Sequence, residues 1–335
     1  MRKKILSLSL LALLSAVLTI DTAAQRPRRP RPGARPASLV SLLPPSDAVV
    51  NIDVRRLFAE AFPGVVAGDA EKQAHINMHI DQLKSQTGID ARTFDQLAIG
   101  LRYTYPAPGI TKVESVALAR GKFSAAAVVA AGRVTAQGRF AEQKYKGATI
   151  YVFSLNDQIR LFGAFDLRLN EVAVSLLNAN TLAIGTPANV RAAIDAQTGK
   201  KISAEVAALA QTDPTAVIAF GGNVPPGVVK DLRLDSDVLA KDLSGIRQIF
   251  GTGGIKGTNF ALLLVARTTN PAQAKNLSET VTSVLPLASL FTGRLPAAKK
   301  ALAQAAVDNL KVVTQGNDLR ITNEVPQASL AALIR

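Results

Sequence analysis

Ala216-Val-Ile-Ala-Phe220-Gly-Gly-Asn223-Val-Pro-Pro226 is the stretch that decides the fold. Its apolar, partly β-branched start favours a strand, and the glycines and asparagine break that strand. Proline can then open a helix, because its missing N–H is no loss in the first turn and its φ is already helical. The same passage from strand to helix recurs along the chain. Ala48 to Val54 leads into Arg55–Phe62, Ser115 to Ala119 passes Gly121 to a helix near Ser124, and Leu182 to Gly185 passes Thr186-Pro187 to Ala188–Ala196. Phe260 to Ala266 leads to Thr269-Asn270-Pro271, and Leu319 to Thr322 leads to Pro326 and a last helix. Thr and Asn before proline are N-cap residues, so the punctuation is consistent.

Three echoes point to an internal duplication. Ile80, Leu83, Gly88-Ile89, Phe94 and Leu97 recur as Ile246, Ile249, Gly254-Ile255, Phe260 and Leu263, at an offset of 166. The strands Ala48-Val49-Val50 and Ala216-Val217-Ile218 match at 168. Leu182-x-Ile184 before its Pro-led helix likewise resembles Leu319-x-Ile321 before Pro326. Short segments between Thr149 and Ile184, separated by Asn156-Asp157, Asp166 and Asn178-Ala179-Asn180, read as an antiparallel meander. The expected fold is α+β: two similar halves, residues 39–211 and 212–335, each a mixed or mainly antiparallel sheet with helices on one face. Ile76, Ile80 and Leu83 form one apolar helix stripe, and Leu277, Val281 and Leu285 another.

The N-terminus specifies an address. Arg2, Lys3 and Lys4 precede a sixteen-residue apolar run, Ile5 to Ile20, and Thr22 and Ala24 stand at the −3 and −1 positions of a cleavage site. Residues 1–24 are thus expected to be a signal peptide, with the mature chain starting at Gln25 in the periplasm or outside the cell. The run is shorter than a membrane span needs, so no stable span is expected in the mature chain. With no cysteine, the chain forms no disulfide and carries no lipoprotein anchor. Residues 25–38 form an Arg/Pro-rich arm, expected to be extended and disordered, in which Arg26, Arg28, Arg29, Arg31 and Arg35 are spaced by prolines.

Charge placement narrows the partners. Of the net +14, the leader holds +2 and the arm +5, leaving +7 spread thinly over the body. No basic stripe interleaved with aromatics runs through that body, so nucleic acid is not expected as a partner. The five arginines fit a spacer, or a tether to an envelope protein or an anionic surface polymer. Aromatics are 5% of the chain and tryptophan is absent, which disfavours a sugar-stacking platform. All four tyrosines fall in the first half, where a modest patch is conceivable.

Few constellations suggest chemistry. Glu71, His75 and His79 stand four residues apart, and two imidazoles with a carboxylate on one helical face are the weak candidates for a metal. The run Gly251 to Thr258 has Lys256 before Gly257 and leads into a strand, so it is read as a helix-ending turn rather than a phosphate loop. Asp231, Asp235, Asp237 and Asp242 lack the glycine and terminal glutamate of a calcium loop, and Asp235 is read as the N-cap of a helix reaching Phe250. No Gly-x-Ser-x-Gly, Ser-x-x-Lys or His-Glu-x-x-His occurs. No catalytic residue and no cofactor are therefore assigned.

Ala119-Arg-Gly-Lys-Phe123, Tyr145-Lys-Gly147 before Ile150-Tyr151, and Gly185-Thr-Pro187 before Val190-Arg-Ala-Ala-Ile194 resemble a group of uncharacterised exported bacterial proteins that carry a domain of unknown function. The resemblance implies an envelope or secreted location. The expected function is a noncatalytic binding or structural module of the cell envelope. The competing class is a hydrolase using dispersed carboxylates or Ser/Lys.

Overall fold

In the computed structural model, residues 38–87, 90–107, 110–136, 139–154, 159–161, 165–167, 171–225, 237–292 and 297–333 are described. The leader, the five arm arginines, Asp231, Asp235 and the helix start at Pro226 lie outside them. Apolar stretches with turn residues between them fold as β1 (Ala48–Asp53), β2 (Phe94–Ala107), β3 (Ile110–Gly121), β4 (Phe140–Tyr145) and β5 (Ala148–Ser154). A small separate pair follows, β6 (Ile159–Leu161) and β7 (Phe165–Leu167), then β8 (Glu171–Asn178) and β9 (Thr181–Gly185). The later strands are β10 (Ile218–Asn223), β11 (Ile246–Lys256), β12 (Asn259–Thr268), β13 (Lys311–Gln315) and β14 (Asp318–Pro326).

Twelve of these make one antiparallel sheet in the order β13-β14-β12-β11-β10-β1-β2-β3-β9-β8-β5-β4. The fold is therefore α+β, as the sequence indicates. The halves meet through the pair β1·β10, in which Asn51 lies opposite Ala219 and Val49 opposite Gly221. Outward from this seam the orders correspond: β1, β2, β3, β9, β8 on one side and β10, β11, β12, β14, β13 on the other. Of the segments matched at the 168 offset, Ala48-Val49-Val50 opens β1 and Ala216-Val217-Ile218 leads into β10. The 166 offset has no such counterpart. It sets Ile80, in a helix, against Ile246, in β11, and it sets β2 against β12. Aliphatic spacing alone does not distinguish a buried helix face from a buried strand.

The helices follow the expected junctions. Val54–Arg56, a π-turn Leu57–Ala61 and Phe62–Val65 run on from β1, opened by Asp53, whose carboxylate accepts from the Arg56 N–H at 2.9 Å. Next come α1 (Ala70–Thr87), α2 (Ala125–Thr135), α3 (Pro187–Asp195), α4 (Ala204–Leu209), α5 (Asp237–Ser244), α6 (Pro271–Thr292) and α7 (Ala297–Asp308). Ser124, Thr186, Ser203 and Asn270 each accept a backbone N–H three residues on, which satisfies a donor the helix leaves free.

Helices lie on one face in the second half, where Leu277 of α6 packs with Ile246 and Leu319. The opposite face there is mixed: Phe250 and Val265 are buried against Leu209 of α4, and beside them Arg267 is held bidentately by Asp318 at 2.8 and 3.0 Å. The first half departs from that expectation, because both of its faces are covered. Leu182 packs with Ile80 of α1 and Val128 of α2, whereas its neighbour Ala183 packs with Val190 of α3 and Val206 of α4. Alternation along a strand sends successive side chains to opposite faces, and β9 is apolar at both.

Two readings near residue 250 are corrected. The helix ends at Ser244 rather than Phe250, and Gly251–Lys256 lie inside β11 rather than in a helix-ending turn. The glycines make room for rings. A Cβ at Gly251 would stand 2.8 Å from the Phe220 ring, and one at Gly253 would stand 3.0 Å from the Phe260 ring. The turn comes only at Gly257, with φ +61°.

Candidate functional site

The first half contains one device that the second lacks among the described residues: the hairpin β4–β5, added outside β8. Its turn is Lys146-Gly147, with φ values of 47° and 82°, the left-handed pair that a two-residue hairpin requires. Lysine is strained there, and Asp195 at the end of α3 holds its ammonium at 2.6 Å and accepts from Tyr145 Oη at 2.9 Å. The Lys146 hydrogen bond keeps the Asp195 carboxyl below its ordinary value. The motif Tyr145-Lys-Gly147 is thus a hairpin clamp.

On the opposite face of this hairpin, α2 lies close to the sheet. Its sequence is nearly all alanine, valine and glycine, and Gly132 sits directly against Phe153. Small residues on the helix let it approach, but they do not fill the space beside it. What remains is an open groove of about 630 Å³, walled by Ala126, Val129, Ala130 and Val134 of α2 and by Tyr151 of β5. Phe140 and Phe153 pack beneath with centroids 5.4 Å apart, and Phe140 stacks on Tyr151 at 6.0 Å. Val134 is 67% exposed, unusually high for a large aliphatic side chain. At the rim Arg133 reaches Glu142 at 2.8 Å and lies 4.6 Å over the Phe140 ring. Its charge is therefore partly neutralised, and the groove is mainly apolar.

The residues singled out by sequence fall elsewhere. His75 and His79 come together on α1, Nε2 to Nε2 at 3.2 Å, whereas Glu71 joins no cluster of three metal-ligating side chains among the described residues. Asp242 ties α5 to α6 by accepting from Thr280 Oγ1 at 2.6 Å. Lys256 of the glycine-rich run is an ion-pair partner of Glu324. The four tyrosines do not form one patch. Tyr103 and Tyr105 lie on β2, Tyr145 faces α3, and Tyr151 lines the groove. Elsewhere the perturbed carboxyls belong to ion pairs. Burial pushes Asp90 up, but hydrogen bonds from Arg92 and Lys84 outweigh it and leave it below its ordinary value.

Sequence reading missed the groove because its walls are ordinary helix and strand residues. The available signal was the cluster of small residues at Ala125–Gly132 facing a hairpin with Phe140, Tyr151 and Phe153.

A second exposed feature is the β2–β3 hairpin. Pairing with β1 stops at Leu101 and pairing with β9 stops at Val116, so residues beyond these project past the sheet. Tyr105, Ile110 and Val113 are each about half exposed there, at 52%, 56% and 45%.

Among the described residues, no helix is long and apolar enough to cross a membrane. No protein-family model matches the chain. No curated protein matches it significantly. Solved structures of TP0453 are similar in overall course: crystal form I at 10% identity, TM-score 0.46, covering 90% of this chain and 98% of that one. Crystal form III gives 11% identity, TM-score 0.47, and 90% and 99% coverage.

Proposed function

We propose that the protein is a noncatalytic binding module of the cell envelope that takes an apolar ligand in the groove between α2 and the β4–β5 hairpin. The groove carries this reading: an open, mainly apolar space whose one carboxylate, Glu142, is occupied by Arg133. A hydrolase would be favoured by carboxylates converging in a cleft with shifted pKa values. Asp90 and Asp195, both shifted, instead serve ion pairs outside the groove. The envelope location rests on the leader at residues 1–24, and the arginines at 26–35 are proposed to tether the module to an anionic surface polymer.

Titration with the anionic, largely apolar fluorophore 8-anilinonaphthalene-1-sulfonate tests the groove. Ala130→Glu places a carboxylate in its wall, and binding is expected to weaken at least about fivefold, roughly 1 kcal/mol, with the fold unchanged by circular dichroism. Unchanged affinity in that variant would remove the groove as the site. For the tether, deleting residues 25–37 is expected to abolish salt-sensitive binding to anionic vesicles. No change on deletion would leave the arm as a spacer.

A further inference from the structure

We propose that His75 and His79 form a clasp for one divalent transition-metal ion of the copper or zinc class, separate from the apolar groove. The helix brings them together, since residues four apart share a face one turn up. Ile76 and Ile80, at 9% and 0% exposure, bury the adjoining face of α1, about 100° round the helix, and leave His75 exposed and His79 half-buried beside it. Their rings stand nearly perpendicular, at 88°, with centroids 4.4 Å apart.

The decisive quantity is the 3.2 Å between the two Nε2 atoms. With metal–imidazole bonds of about 2.05 Å, that separation subtends an angle of about 103° at the ion, close to the tetrahedral value and within reach of a square-planar one. In the metal-free pair one Nε2–H donates to the other Nε2. Loading an ion replaces this contact: the donor ring passes its Nε2 proton to its own Nδ1 through solvent, so both imidazoles stay neutral and both Nε2 lone pairs are free for the metal, each metal–nitrogen bond lying roughly 38° off the N···N line. Neighbouring cations are already engaged, Lys72 by Asp69 at 3.1 Å and Lys84 by Asp90 at 3.2 Å. Among the described residues no third His, Asp or Glu joins the pair, so water completes the coordination sphere. Imidazole and water favour Cu²⁺ over Zn²⁺ in the usual order of divalent ions.

The chain suits a clean test, because it has no cysteine and these are its only histidines. Calorimetric titration of the purified protein with Cu²⁺ and with Zn²⁺ should give one ion per chain, with Cu²⁺ the tighter. Each of His75→Gln and His79→Gln should weaken binding at least tenfold. His75 is exposed and His79 only half-buried, and glutamine is a good helix former, so these variants keep the fold. Thermal unfolding supplies a second readout: Zn²⁺ should raise the wild-type midpoint and leave that of the double variant unmoved. Equal binding by the His75→Gln/His79→Gln double variant, or Cu²⁺ binding no tighter than about 1 mM in the wild type, would overturn the assignment.

Discussion

Gly132→Ala sets two known effects against each other. On propensity alone, replacing a glycine inside α2 by alanine should stabilise the helix by about 1 kcal/mol. Packing opposes this. The added Cβ would lie 2.0 Å from Cζ of Phe153, where carbon atoms need about 3.5 Å or more. Either the helix lifts or the ring moves by about 1.5 Å. The ring is not free to move, since Phe153 is 4% exposed and packs on Phe140 at 5.4 Å. Overpacking costs about 1–3 kcal/mol, and a contact this short belongs at the upper end. The net expectation is a loss of about 2 kcal/mol, or roughly 4 °C in the unfolding midpoint for a chain of this size. Urea and thermal unfolding measure it. Gly132→Ala combined with Phe153→Leu should recover part of the loss, with a coupling of at least about 1 kcal/mol. A stabilised Gly132→Ala variant would refute the close approach of α2 to the sheet, and with it the shape of the groove.

Other consequences can be checked by similar means. Ile80→Ala removes a fully buried side chain between α1 and the sheet and should cost about 3 kcal/mol in urea unfolding, far more than Met78→Ala on the exposed side. Gly251→Ala would set a Cβ 2.3 Å from the Leu263 carbonyl oxygen and against Phe220, so thermal unfolding should show a destabilisation of about 2 kcal/mol or more. Asp90, held below its ordinary value, contributes fully above the unfolded carboxyl's pKa of about 4 and loses that contribution as pH falls through its lower folded value. The urea midpoints of wild type and Asp90→Asn should therefore differ modestly at pH 6 and draw together as the pH falls below the unfolded carboxyl's value of about 4.

Much of this architecture was legible in local chemistry. Thr186-Pro187 and Asn270-Pro271 mark helix starts that the structure places at those residues, because capping and proline geometry are decided within one turn. The match of residues 48–50 with 216–218 located the two strands of the seam. The residues around 246–256 were not legible. Ile246, Ile249 and Phe250 have a spacing that suits either a helix or a strand, and their glycines resemble a turn until Phe220 and Phe260 are seen to occupy the vacated space. The helices on both faces of the first half were also missed, since doubly apolar strands such as β9 show no alternation to betray a solvent side. Of the candidate sites, the histidine pair could be read from its spacing alone. The groove arises from helix α2, which ends at Thr135, and a hairpin that starts at Phe140, and the two form its walls only in the folded chain.

The proposed function of the groove depends on where an apolar ligand binds. The chain has no tryptophan, so a single one can be introduced as a reporter. Val134→Trp puts it at the groove, and Val313→Trp puts it on β13, at the far edge of the twelve-stranded sheet, ten strand spacings from β5. Titrating each variant with 8-anilinonaphthalene-1-sulfonate and exciting the tryptophan measures which position lies beside the bound probe. Efficient energy transfer from residue 134 with little from residue 313 is the expected result. Equal or stronger transfer from residue 313, or saturable binding that leaves the residue 134 emission unchanged, would contradict the groove as the binding site.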